Sequence, residues 1–201
     1  MIRPTTALAL ALSLAFLPVT LATPAHAESD DTEAGSGSYW EMAFAGGMLM
    51  PLDQMSELHQ QSMAGSARVG WISRLGLGFD LTLDYSPLSR KQTATDDIFD
   101  VQFVTAGVMP RFTLGKKTIR LWLAGGGAMA YEHSVHVESV TGMLGPTTNK
   151  LAAAGMGAAG LELYAFSGVG VAVIGSYMRT VMGDLDYQLI NVTGGLAVTF
   201  R

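Results

Sequence analysis

The chain contains no cysteine. A disulfide framework is therefore excluded, and hydrogen bonds and packing alone must hold the fold. No cluster of Lys and Arg is dense enough to neutralise a run of phosphates, which argues against nucleic acid as a partner. Charge of either sign is scarce, at 14% of residues, so the position of each charged side chain carries information. A long apolar run able to cross a bilayer as a helix is also lacking beyond the N-terminal region. The most apolar stretch, 151–178, is broken by Glu162, and neither half reaches the roughly 18 uncharged residues that a spanning helix needs. Its glycines, among them Gly155, Gly157, Gly160, Gly168, Gly170 and Gly175, and its alternating valines disfavour helix further.

What is present begins with an export signal. Arg3 supplies a positive start, Ala7 to Leu21 form a short apolar core containing Pro18, and Ala25-His26-Ala27 fits a small-x-small cleavage site. Residues 1–27 are therefore expected to be a signal peptide cut after Ala27, leaving 174 of the 201 residues. Without Arg3 the remainder carries eleven basic against seventeen acidic side chains, a net charge of −6. Residues 28–37 (ESDDTEAGSG) are acidic, small and aperiodic, and read as a flexible lead-in.

From residue 38 onward the dominant signal is alternation with a period of two. In 77–86, Leu77, Phe79, Leu81, Leu83 and Tyr85 take one face, and Gly78, Asp80, Thr82, Asp84 and Ser86 the other. Side chains alternate across a pleat, so this is the pattern of a strand with one greasy and one polar face. Similar patterns mark 39–50, 118–131, 169–180 and 190–200, and weaker ones mark 66–74, 98–112 and 151–165. In 98–112 the phase set by Phe99, Val101 and Phe103 puts those three on the outer face, with a blur after Thr105 that suggests a bulge. In 151–165 only Glu162 fixes a face. The eight segments predict an all-β fold, an eight-stranded antiparallel up-and-down barrel over 38–201.

The connections alternate in length. Tight turns are expected at Leu75-Gly76, at 114–117 and at 166–168, and longer polar loops at 51–65, 87–97 and 132–150, with a shorter link around 183–186. Short turns on one side and longer loops on the other are the pattern of a transmembrane barrel with both termini in the periplasm. Charge decides which face lies inside. Glu41, Arg68, Asp80, Asp84, Arg120 and Glu162 all fall on the minority polar face, with both signs represented. In a narrow lumen they can pair, whereas on a lipid face each would cost about 2–4 kcal/mol near the midplane. Aromatics near strand ends, including Tyr39, Trp40, Tyr85, Phe99, Tyr131, Tyr164, Tyr177, Tyr187 and Phe200, suit interfacial girdles.

On the alternating last strand, Asn191 to Phe200, and its terminal aromatic Phe200, the segment 38–201 resembles the small outer-membrane barrels of the OmpA transmembrane domain, OmpX and OmpW kind. The resemblance implies a Gram-negative outer membrane, with lipid and lipopolysaccharide around the barrel. It also implies that Phe200 belongs to the signal read by the barrel-assembly machinery, although Arg201 follows it here.

Candidate chemistry is thin, and no cofactor is expected. His133, His136 and Glu138 are the clustered metal-ligand types, and they read as a solvated loop. A lipid A acylase or deacylase would need a base such as His133 or His136 beside Ser134 or Ser139, but no H-x-S arrangement is present. Small inward residues, such as Ala124, Ala128, Ala154, Ala158 and Ala197, leave two options for the lumen. Trp122, Met156 and Tyr164 fill it, or an outer cavity admits a small hydrophobic molecule. The expected function is a non-enzymatic barrel with a filled interior and loops for surface contact or binding. The assigned faces are testable by urea unfolding in lipid vesicles. Leu81→Arg is expected to cost about 2–4 kcal/mol and Thr82→Ala less than about 1 kcal/mol; equal losses would contradict the assignment.

Overall fold

The computed structural model describes residues 37–89, 91, 98–115, 118–137, 144–166, 168–182 and 185–201. The expected signal peptide, the lead-in up to Ser36, Glu138 and Ser139 lie outside the described residues. Eight strands form: β1 (Tyr39–Pro51), β2 (Ser62–Ile72), β3 (Leu77–Leu88), β4 (Ile98–Gly115), β5 (Ile119–Val137), β6 (Leu144–Phe166), β7 (Val169–Met182) and β8 (Leu185–Phe200). Each pairs antiparallel with its sequence neighbours, and β1 pairs with β8 from Trp40↔Phe200 to Pro51↔Leu189, closing the barrel. Closure leaves no sheet edge along the wall, which is the condition for extended chain to lie in a medium that offers no hydrogen bonds.

The alternation reads directly onto the wall. Leu77, Leu81, Leu83, Leu121, Leu123, Val171, Val173 and Leu196 are exposed on the outside. On β5 the outward row is apolar or glycine from Ile119 to Tyr131. At about 3.3 Å per residue and a tilt near 40° it spans roughly 30 Å, the thickness of a hydrocarbon core. An apolar belt of this extent is far more than a water-soluble monomer exposes. At the turn end Trp40, Trp71 and Phe79 cluster on the outer face, with ring centroids 6.3 and 6.1 Å apart.

β4 departs from the expected phase. Val101 and Phe103 face the lumen, with Phe103 0% and Val104 40% exposed. The strand keeps one phase throughout, and its register with β5 is the same from Val108↔Gly127 to Arg111↔Ala124, on either side of Pro110. No bulge resets it, so Arg111 also points inward. The expectation failed because the loop-end stretch of β4 reverses the pattern, with apolar Val101 and Phe103 inward and polar Asp100 and Gln102 outward. Tyr164 and Tyr187, expected at the membrane interfaces, are buried in the lumen instead, and Tyr39 lies against Arg120. The side chain of Phe99 lies outside the described residues.

The loop end also differs. Most of the expected loop 132–150 is strand, because β5 continues to Val137 and β6 begins at Leu144. β6 pairs with β7 only from Ala154↔Thr180, so its stretch before Ala154 overhangs the wall with β5 on one side. In the first loop a short helix, α1 (Asp53–Leu58), follows β1. Its Met55 is buried with Leu49, Leu88, Phe103, Met178 and Leu189 in an apolar core, against which Leu58 packs. The second loop ties α1 down: the Lys91 N–H donates to the Leu58 carbonyl at 2.8 Å, and Lys91 Nζ donates to the Ser56 carbonyl at 2.5 Å. At the other end the turns use Gly76, Gly115 and Gly168 at φ +79°, +115° and +87°, where an L side chain would be strained. The phase of β4 has a direct consequence for stability. Phe103→Ala is expected to lose about 3–5 kcal/mol and Val104→Ala far less, measured as urea midpoints in vesicles; the reverse order would restore the phase read from the sequence.

Candidate functional site

The turn-end half of the lumen is built from charge. Inward positions on β1, β2, β3, β4 and β6 bring Glu41, Arg68, Asp80, Arg111 and Glu162 together, all buried. Two arginines hold the centre. Arg111 Nη1 donates to Glu41 Oε1 at 2.6 Å and to Asp80 Oδ1 at 3.4 Å, while Nη2 donates to Glu162 Oε1 at 3.0 Å and to Glu41 Oε2 at 3.4 Å. Arg68 Nη2 reaches Glu41 Oε1 at 2.6 Å and Glu162 Oε1 at 2.7 Å, and Arg68 Nε lies 3.6 Å from Asp80 Oδ2. The Tyr164 hydroxyl lies 3.0 Å from Glu41 Oε2 and 3.2 Å from Glu162 Oε2, and its single proton is shared between the two carboxylates.

Aromatic faces complete the packing. The Arg68 and Arg111 guanidiniums lie 4.1 and 4.7 Å from the Trp122 ring centroid. Arg120 lies 4.5 and 4.4 Å from Tyr39 and Tyr164, with Nη1 3.8 Å from Glu41 Oε2. Planar guanidiniums suit both contacts, because each can stack on a ring while its N–H groups fork toward carboxylates. Two glycines make the room. A Cβ at Gly70 would overlap the Asp80 carboxylate, and one at Gly160 would overlap the Trp122 indole.

Among these residues Arg68, Arg111 and Arg120 balance Glu41, Asp80 and Glu162. Burying ions is costly unless each finds a partner, and removing one member strands the others. The six interior residues singled out from the sequence therefore divide. Glu41, Arg68, Asp80 and Glu162 form the knot, and Arg120 flanks it. Asp84 lies outside it, lining a cavity of about 30 Å³ above Arg68. Arg111 was missed, since the blur expected after Thr105 left the faces of the later β4 residues open. The signal that could have found it is its own charge, because an arginine among Met109, Pro110 and Phe112 is far cheaper in a lumen than on a bilayer face.

The histidines take other places. His133 stands on β5, not in a loop, and its Nδ1 is 2.7 Å from Asn149 Oδ1 on β6. Ser134, next in the strand, faces inward and donates to the Thr148 carbonyl at 3.3 Å. Consecutive strand residues point to opposite faces, so this pair cannot share a proton. The side chain of His136 lies outside the described residues, and His59 is buried at the end of α1. No group of three or more His, Cys, Asp or Glu side chains arranged for a metal occurs among the described residues.

A closed eight-stranded antiparallel barrel with an apolar exterior and an ionic interior defines the class: the fold is that of the small outer-membrane β-barrels. Solved structures agree at the level of fold. The chain resembles a major outer membrane protein from Thermus thermophilus (TM-score 0.57, 10% identity, covering 81% of this chain and 99% of that one). It also resembles Neisserial surface protein A (TM-score 0.54, 10% identity, 82% and 100%). A third likeness is the outer membrane protein OprG of Pseudomonas aeruginosa (TM-score 0.53, 8% identity, 83% and 97%). No protein-family model and no curated protein matches the chain. The knot predicts strong coupling between its members. Arg111→Met is expected to cost about 3–5 kcal/mol, and adding Glu41→Gln to recover part of that loss, as read from urea unfolding in vesicles; simple additivity of the two changes would contradict a shared network.

Proposed function

We propose that the chain is a non-enzymatic barrel of a Gram-negative outer membrane, sealed by its own side chains, whose outward segments carry contacts at the cell surface. The observation that carries this reading is the double obstruction of the lumen. Arg68, Arg111, Glu41 and Glu162 cross it at the turn end, and Met55, Phe103, Leu49 and Leu189 fill it at the loop end. Eight strands leave a lumen only just wide enough for side chains, so obstruction at both ends opposes a diffusion pore. In this reading the knot braces the wall, lipid and lipopolysaccharide cover the belt, and Phe200 at the end of β8 addresses the assembly machinery. Export through the residue 1–27 signal, with cleavage after Ala27, belongs to the same proposal.

Two of the similar proteins are outer membrane proteins and the Neisserial one is a surface protein, which supports a place in the outer membrane. A lipid A-modifying activity is disfavoured by the separation of His133 and Ser134 onto opposite faces. A second reading, a conduit or binding barrel for a small hydrophobic molecule, requires the apolar core beneath α1 to open. Reconstituted full-length chain in planar bilayers is expected to give no conductance steps above those of protein-free membranes; steady channel openings would overturn the sealed reading. Uptake of a small apolar solute into liposomes above the protein-free rate would favour the conduit.

A further inference from the structure

We propose that α1 is a hinged lid over an apolar cup at the loop end, latched shut by the Lys91 ammonium. The cup is formed by Leu49, Leu88, Val101, Phe103, Met178 and Leu189, all buried, and Met55 of α1 packs into it. Its wall is held by backbone ladders, with Leu49 paired to β2 and β8, Leu88 to Val101, and Leu189 to Met178. The helix is held in another way. Six residues are far fewer than the roughly 12–15 at which a helix becomes marginal on its own. Its N-terminus has no side-chain cap, and Asp53 enters it at φ +50°, a left-handed conformation that few residues other than glycine adopt.

The chain is pinned just outside the helix on both sides. The Leu52 N–H donates to the Gln188 carbonyl at 2.9 Å, and the Gln60 N–H to the Ser89 carbonyl at 2.9 Å, beside buried His59. Between these pins Met55 seats the helix in the cup, and Lys91, three residues past the end of β3, fastens it. The carbonyls of a last helical turn lack partners within the helix and carry its negative pole. The last turn of α1 has no basic residue of its own, and Lys91 Nζ on the Ser56 carbonyl supplies that charge from the neighbouring loop. Releasing this bond returns a carbonyl and an ammonium to water, and leaves the burial of Met55 to keep the lid down. The turn end has no such device, because each member of the ionic knot is held by several others. Lifting α1 therefore opens a cup toward the loop side and not a channel, since the knot still crosses the lumen. The latch sets how often the apolar interior can be reached from outside.

A chain without cysteine allows a direct test. Val101→Cys places a thiol of similar size in the cup, and Ala172→Cys places one in the buried cluster around Trp122 at the turn end. The folded full-length chain in detergent is labelled with a charged methanethiosulfonate reagent, whose rate follows the fraction of time each thiol is uncovered. At Val101→Cys, adding Lys91→Ala is expected to raise the rate at least about tenfold, the effect of losing one hydrogen bond from a charged donor. Lys91→Arg keeps a cationic donor and is expected to leave the rate close to that with Lys91. Met55→Ala keeps the latch but empties the seat, and is expected to raise the rate as well. The thiol at Ala172→Cys is expected to stay protected in every background. Equal rates at Val101→Cys with and without Lys91→Ala would overturn the latch, and an unchanged rate with Met55→Ala would overturn the lid. Equal acceleration at Ala172→Cys would also overturn the lid, because the whole barrel would then be loosening.

Discussion

A charge inside a narrow barrel has nowhere to go but to another charge. The outside of this wall is apolar over the thickness of a bilayer, so Glu41, Arg68, Asp80, Arg111 and Glu162 all turn inward, onto five different strands. Each guanidinium then spans several carboxylates, and each carboxylate is shared. Glu41 alone accepts from Arg68, Arg111 and Tyr164. The strands are joined laterally by their backbone ladders and across the lumen by this knot, so the cross-section at the turn end is fixed from two directions.

The loop-end half solves the same filling problem with the opposite material. Leu49, Leu88, Phe103, Met178 and Leu189 pack as in a soluble core, and Met55 of α1 closes them from above. Their burial needs no partners, only volume, so small inward residues such as Ala130 and Ala154 are the complement of large ones across the lumen. The cavity bordered by Asp84 lies where the two regimes meet. Neither apolar packing nor ion pairing alone is suited to that zone.

How much of this was legible in the sequence follows from the same division. β3 was legible from Leu77 to Ser86, where apolar residues alternate with glycine or polar ones without a break, although Pro87 and Leu88, expected in the loop, extend it. β1, β5, β7 and β8 were nearly as clear. β4 was misphased because Val101 and Phe103 are lumen residues in the apolar half, where the oil lies inside and polar Asp100 and Gln102 lie outside. The bulge expected after Thr105, which the strand lacks, hid Arg111. The upper parts of β5 and β6 read as loop in the sequence because a strand that has left the hydrocarbon needs no greasy face, and Thr147 to Lys150 are polar and exposed. The knot was legible as a set of inward charges but not as a geometry, since period-two patterns specify faces and leave the height of each strand against its neighbours open.

The pairing of β1 with β8 bears on how the molecule comes into being. The first and last strands of the wall must meet, from Trp40↔Phe200 to Pro51↔Leu189, before either has its full complement of hydrogen bonds. Until that seam is made, the growing sheet carries two raw edges, which a hydrocarbon interior cannot satisfy and which invite pairing with foreign strands. Sequence separation this large slows folding far more than it weakens the finished state. The risk for this chain therefore lies in the interval before the ring is sealed, and it is then that help from outside the molecule has the most to contribute.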